Sequence, residues 1–519
     1  QGRQVARLAA PRPRAAAKVR STDIINKATF TYVSTFHTES SIMLLKQYYL
    51  GCLAHASYLI ADERTRQAVV VDPQRDIEQY LRDAQDGGYT IKYVVLTHFH
   101  ADFLAGHIEL RNRVGARIVM GSRAQAEFDF QAVRDCDLID LGDVRIQILE
   151  TPGHTPEGIS LLVFDLAHSE SIPHAVLTGD TLFIGDVGRP DLLASIGVTA
   201  EELAEMLYTS LTKLRELPDT TLVYPAHGAG SMCGKNLSKE TVSTIGEQKR
   251  FNYALQPMSL EDFKRLVTSE QPEAPDYFVY DAIKNRQERP DLEATLKTSL
   301  QGLSVDDTVR LMNLGAQLVD VREAADFEGA YLTGSINIGL KGKYATWCGS
   351  ILSHDQPIVV IAEPGSEEEA VMRLGRIGFD NVAGYLRDGM QALETRPELV
   401  GAISRITAPA LAEQLTEANA PFVLDVRSEK EWKTGHVACS HNIPLTQLRE
   451  RMVEVPLDKP VVVHCEGGYR SALGTSLLAA AGRTNVSDLV GGIKAWMASK
   501  LPTESDGAAA PSCTTACTK

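Results

Sequence analysis

Between residues 43 and 229 short apolar runs recur between polar turns and helix-like stretches: 68–72 (AVVVD), 93–97 (YVVLT), 146–151 (IQILET), 175–180 (AVLTGD) and 221–227 (TLVYPAH). Their shortness and β-branched content predict strands. Residues 235–300 read as mainly helical, with a polar, proline-punctuated connector around Gln271–Pro275 and Gln287–Pro290. A first boundary is expected near residue 300.

The next two hundred residues repeat themselves. Leu318–Arg322 (LVDVR) overlays Val423–Arg427 (VLDVR), and Asp320 and Asp425 are 105 residues apart, as are Asn337 and Asn442. The apolar strands after Pro357 and Pro460 match at an offset of 103, as do Gly389 and Gly492. Two copies of one α/β unit follow, each long enough for its own core. The expected division is an extension at 1–42, a first domain at 43–300, repeat units at 301–400 and 401–503, and a tail at 504–519. The extension and tail are expected to be disordered.

A chain of 519 residues with 44% hydrophobic and 23% charged residues is that of a multidomain globular protein. No apolar run of about 18 residues offers a membrane span. The net charge is −15, yet residues 1–20 hold six basic residues (Arg3, Arg7, Arg12, Arg14, Lys18, Arg20) and no acid, which leaves −21 on the remainder. Such a body repels polyphosphate, so nucleic acid is not an expected partner. The Arg-rich start resembles part of a mitochondrial presequence. A cytoplasmic location is expected, with the mitochondrial matrix as the alternative. Eight dispersed cysteines lack the density of a disulfide scaffold, so reduced thiols are expected.

Chemistry concentrates at strand ends. His98, His100 and Asp102 fall within five residues of THFHADF; His154 ends ETPGH, Asp180 ends LTGD and His227 ends YPAH. Imidazole and carboxylate side chains converging from separate strand ends suit zinc or iron(II). At this level His100 remains a candidate ligand beside His98. In the second repeat, Cys465-Glu466-Gly467-Gly468-Tyr469-Arg470-Ser471 follows a strand and precedes a helix-like segment. Glycines allow backbone N–H groups to face the sulfur, and the helix N-terminus adds positive potential. Arg470 adds a charge suited to an anionic donor. The first repeat has Ala362 and Glu367 where the second has Cys465 and Arg470, so its loop can neither carry sulfur nor attract an anion.

THFHADF, TPGHTPEG, GDTLFIGDVGRPDL and YPAHGAGSMCGKN, over Met43–Leu255, resemble the metallo-β-lactamase superfamily and within it the persulfide dioxygenases. DVRSEKEW, GHVACSHNIPL, the Cys465 loop and GGIKAW resemble rhodanese. The resemblance implies an α/β multidomain chain: an αββα sandwich, then an inactive and an active rhodanese-like domain. It further implies one Fe(2+) per chain on His98, His154 and Asp180, with His100, Asp102 and His227 as surrounding groups or alternative ligands. Arg189 would hold the carboxylate of a glutathione-type substrate, and Cys465 would carry persulfide. Phe103 stands where binuclear zinc hydrolases place a further histidine, and phenylalanine cannot ligate.

The expected activity is oxidation of a low-molecular-weight persulfide by O2 to sulfite and thiol, coupled to sulfane-sulfur transfer between thiol persulfide and sulfite or thiosulfate. Homo-oligomerisation is compatible with this reading. The rivals are a glyoxalase-II-like zinc thioester hydrolase and a non-oxidising sulfur carrier. Cys233, near His227, could relay sulfur, although a buried inert thiol is the expectation; Cys513 and Cys517 are expected to be incidental.

Overall fold

The computed structural model describes residues 31–35, 42–192, 197–269, 271, 274–275 and 277–505. The basic residues before position 30 and both tail cysteines lie outside them. Two sheets face each other in the first domain. One has seven strands, in the order 31–35, 43–50, 55–62, 67–71, 90–95, 117–121 and 131–133. The other has six, in the order 243–244, 222–225, 175–179, 159–165, 144–150 and 138–140.

Alternation along single strands explains the layering. In His55–Asp62, Tyr58 and Ile60 point into the core between the sheets, with Val69, Ile146, Leu161 and Leu177. Leu59 and Ala61 point to the opposite face, toward Tyr80, Ile108 and Leu110 of outer helices. A strand covered on both sides reads as a continuous apolar run, as this one does. The helix Ala200–Arg215 opens on a capping box, Thr199 with Glu202, and packs Leu207, Leu211 and Leu214 on the outside of the second sheet. The αββα sandwich is therefore present.

Thr31–Thr35, expected within a disordered extension, instead pairs antiparallel with the strand that starts at Met43, Thr31 facing Leu50. Its TYVST sequence has the β-branched and aromatic content of a strand, and its position extends the sheet edge.

The two repeats have one topology. The first is a five-stranded parallel sheet in the order 302–303, 382–386, 358–361, 317–320, 336–337; the second runs 404–406, 486–489, 461–464, 422–425, 441–442. In both, the arginine two residues after the strand's last aspartate forks back onto it: Arg322 to Asp320 and Arg427 to Asp425. Asn337 and Asn442 each donate to two backbone carbonyls of that same turn. The repeated LVDVR and asparagine positions are thus the residues that hold the central turn. One apolar cluster runs through all three units, from Phe103 and Ala105 through Val319 and Leu374 to Leu473 and Cys465.

Candidate metal centre and persulfide loop

Three strand ends bring His98, His154 and Asp180 together, all buried, with their ligand atoms within 4.8 Å of one another. Asp180 Oδ2 is 3.7 Å from His98 Nε2 and 3.5 Å from His154 Nε2. Gly188 crosses closely behind this point: a Cβ there would run into the carbonyl oxygen of Asp180 and lie 3.0 Å from His154 Nδ1. Gly179, at φ +52, makes the turn that delivers Asp180.

The hydrogen bonds fix which nitrogen of each imidazole faces inward. Thr97 Oγ1 donates to Asp72 Oδ2 at 2.8 Å, so its oxygen accepts from His98 Nδ1 at 2.9 Å. His154 Nδ1 donates to the backbone carbonyl of Arg189 at 2.8 Å. Both Nε2 atoms are then free of protons and turned to Asp180. Burial lowers the pKa of both histidines, which keeps them neutral. Burial opposes ionisation of Asp180, but His227, which also donates to it, holds its pKa far below the usual range. Two neutral imidazoles and one carboxylate beside a gap of about 10 Å³, the room of a single small species, fit a divalent metal. Thr97, Thr151, Thr155 and Thr181 also line it, with Gly158 and Ile159.

His100, Asp102 and His227 form a second group, also buried. His227 Nδ1 is 2.8 Å from Asp180 Oδ1 and its Nε2 is 3.0 Å from Asp102 Oδ2. Burial works against the charge on His227, yet the carboxylates of Asp102 and Asp180 raise its pKa well above the ordinary value. His227 donates from Nδ1 to Asp180, while its Nε2 faces Asp102 without a well-directed hydrogen bond. His100 Nε2 lies 3.1 Å from Asp72 Oδ1 without a well-directed hydrogen bond. Phe103 packs between His55 and His100, with ring centroids 4.1 and 4.5 Å away. Cys233 is buried, its ligand atom within 4.8 Å of those of Asp180 and His227, and burial pushes its thiol pKa well up.

Arg189 is 3% exposed, and its Nε and second terminal nitrogen both donate to Asp191 at 2.7 Å. The fork expected to meet a substrate carboxylate is engaged within its own loop, and the carbonyl of Arg189 is what touches the site, through His154. Sequence reasoning missed Asp72, Thr97 and His55. Asp72 ends an apolar strand as Asp180 does, which is a usable signal; His55 carries no motif.

Cys465, 1% exposed, receives the backbone N–H of Gly468 at 3.1 Å and lies 3.5 Å from Ser471 Oγ. Gly468 has φ +119, which turns that N–H inward at the start of the helix Tyr469–Ala480. Gly467 is exposed, and Glu466 pairs with Lys494 at 2.8 Å. Arg470 does not present an uncompensated charge: both terminal nitrogens donate to Glu431 at 2.7 Å. It lines a cavity of about 1240 Å³ whose walls include Trp432, Asn442, Trp347 of the first repeat and Met232 of the first domain. Cys348 is buried in a helix, away from the equivalent loop. No described helix is long and apolar enough to cross a membrane.

The metallo-beta-lactamase superfamily profile matches residues 50–227, and the rhodanese-like domain profile matches 304–395 and 407–499. The bovine mitochondrial persulfide dioxygenase ETHE1 is 32% identical over 237 residues, which cover 44% of this chain and 83% of that protein. A cytoplasmic hydroxyacylglutathione hydrolase of Arabidopsis thaliana is 36% identical over 187 residues, 35% of this chain and 67% of that protein. The crystal structure of a metallo-beta-lactamase from Staphylococcus aureus matches with a TM-score of 0.60 at 32% identity, covering 66% of this chain and 99% of that one.

Proposed function

Because the chain belongs to the persulfide dioxygenase family of the metallo-β-lactamase superfamily and carries two rhodanese-like domains, we propose that it oxidises a low-molecular-weight persulfide and transfers sulfane sulfur. The observation that carries the reading is the set His98, His154 and Asp180, two neutral histidines and one carboxylate with ligand atoms within 4.8 Å of one another, whose carboxylate is held by His227. We assign His98, His154 and Asp180 as ligands of one iron(II), in the domain at 43–300. The reaction is RSSH + O2 + H2O giving RSH, sulfite and two protons. His98, His154 and Asp180 would leave an iron(II) held between them with open positions, and so would supply redox chemistry between persulfide and O2.

The chain's own residues do the rest. Asp72, through Thr97, and the Arg189 carbonyl hold the two imidazoles with Nε2 inward. His227 Nδ1 holds the Asp180 carboxylate by contacts to both of its oxygens, at 2.8 and 3.0 Å. Burial of the centre excludes bulk water, which protects a reactive persulfide from side reactions.

In the domain at 401–503, the Cys465 thiolate attacks the outer sulfur of thiosulfate, sulfite leaves, and an acceptor thiolate then takes that sulfur as RSS⁻. The Gly468 N–H stabilises the sulfur anion in each state. The domain at 301–400 has Ala362 at that position and is inactive in transfer. The thioester hydrolase reading needs two metals and is opposed by Phe103.

Purification without oxygen, metal analysis and then oxygen uptake with glutathione persulfide test the proposal. One iron per chain and persulfide-dependent uptake support it. Two zincs with thioester hydrolysis favour the hydrolase, and neither activity with persulfide bound at Cys465 favours a sulfur carrier.

A further inference from the structure

We propose that the first rhodanese-like unit, whose own loop holds no thiol, anchors both reactive centres: its Arg376 positions the metal loop beside the Asn285 clamp of the preceding helical segment, and its Gly339 positions the Cys465 loop through Tyr469. The inference rests on the reading of His98, His154 and Asp180 as metal ligands.

The loop 98–106 has little regular structure, yet its backbone groups are buried and must find partners. They find them outside the αββα sandwich. Asn285, fully buried at the end of the helix Tyr277–Lys284, donates to the carbonyls of His100 at 2.8 Å and Phe103 at 2.7 Å, and accepts from the amide of Ala105 at 2.9 Å. Arg289 donates to the carbonyl of Ala105. The amide of Leu104, between them, donates 2.7 Å to the carbonyl of Arg376 in the first rhodanese-like unit.

Two arginines exchanged across the boundary hold that carbonyl in place. Arg376 forks onto Asp76 of the first domain, both bonds 2.7 Å. Arg75, with no exposed surface, donates to Asp380 at 2.6 and 3.1 Å and to the carbonyl of Gly375 at 2.6 Å. Forked pairs of this kind set orientation as well as attraction. Asp72, which orients His98 through Thr97, lies three residues before Arg75, so both walls of the metal centre lead to the same boundary.

The same unit also meets the other centre. Tyr469, the first residue of the helix behind Cys465, donates from its hydroxyl to the carbonyl of Gly339 at 2.8 Å. Its ring packs on Gly339 and Gly342, where an added Cβ would lie 3.5 Å from it. Seven residues further along that helix, Ser476 Oγ accepts from the amide of Asn337 at 3.0 Å. The unit that lost its sulfur chemistry thus meets both loops by hydrogen bonds to backbone.

The test uses the full-length metal-free chain, amide hydrogen exchange, and Co(2+) or Zn(2+) affinity by chelator competition. Asp76→Asn with Asp380→Asn removes the two negative charges, on side chains 22% and 34% exposed, while leaving a carbonyl oxygen to accept from each buried arginine. Asn285→Leu removes the internal clamp at similar volume. The proposal predicts faster exchange in peptide 99–106 and metal affinity about 10-fold or more weaker in both, with peptide 466–472 unchanged. Tyr469→Phe should do the reverse, speeding exchange at 466–472 while leaving affinity at the wild-type value. If Asn285→Leu does not fold, the Asp76/Asp380 variant decides alone. Wild-type exchange at 99–106 or wild-type affinity in that variant overturns the proposal. Neither readout involves persulfide or oxygen, so failure here is distinct from failure of the proposed activity.

Discussion

His227 Nδ1 lies 2.8 Å from Asp180 Oδ1, and Asp102 stands 3.0 Å from its other nitrogen. The contact makes His227 a donor to the proposed ligand Asp180. Replacing His227 by Ala should weaken metal binding about 10- to 100-fold, as loss of an outer partner does, and leave the number of ions bound at saturation unchanged. Chelator competition followed by metal analysis distinguishes the two cases: complete loss of binding would make His227 a direct ligand.

Phe103 follows Asp102 directly, at the position where by resemblance the binuclear hydrolases carry a further histidine. Its ring, 1% exposed, lies against His55 and His100, so a histidine fits the volume. The native chain should hold about one ion, and Phe103→His should gain a second with Zn(2+). Two tightly held ions in the native chain would contradict this account of Phe103.

Glu431 is the partner of Arg470. Burial opposes its ionisation, but Arg470 prevails and brings its pKa down to about 2 from 4.5. A depressed carboxylate stabilises the fold above the unfolded value and loses that contribution as pH falls toward the folded one. The stability advantage of wild type over Glu431→Gln should therefore shrink from about pH 4.5 down to about 2, read from thermal unfolding. Gln can keep the capping box with Ser428 while freeing the guanidinium. Glu431→Gln should accordingly lower KM for thiosulfate a few-fold; an unchanged KM would place anion recognition elsewhere in the cavity.

Cys465→Ser should separate the two activities. The hydroxyl is close in size but has no nucleophilic sulfur, and Ala362 cannot replace it. Thiosulfate:thiol transfer should fall to background while metal content and oxygen uptake with supplied persulfide stay at wild-type values. Retained transfer would point to Cys233, and lost uptake would join the two centres functionally.

The strand ends that carry His98, His154 and Asp180 were legible because each motif is local: an apolar run, then a turn with glycine or proline, then the ligand. The repeat was legible for the same reason, Asp320 and Asp425 each sitting two residues before the arginine that binds it. Asn285 and Arg376 were not. They act on residues 180 and 272 positions away, through backbone atoms that carry no sequence signature. Arg189 was assigned to a substrate carboxylate by resemblance, with a loop ion pair to Asp186 or Asp191 as the alternative; its fork meets Asp191 two residues on. Thr31–Thr35 was overlooked because a short strand beyond an edge has no alternation long enough to read.

The central claim is that His98, His154 and Asp180 hold one iron at which a persulfide is oxidised. Its most direct measurement is oxygen consumed against sulfite formed, with glutathione persulfide, for the iron-loaded Cys465→Ser chain and for the same chain carrying Asp180→Ala. The account predicts one O2 per sulfite in the first, with about one iron per chain, and neither iron nor uptake in the second. Stoichiometric iron or undiminished oxygen uptake in the Asp180→Ala chain would contradict it.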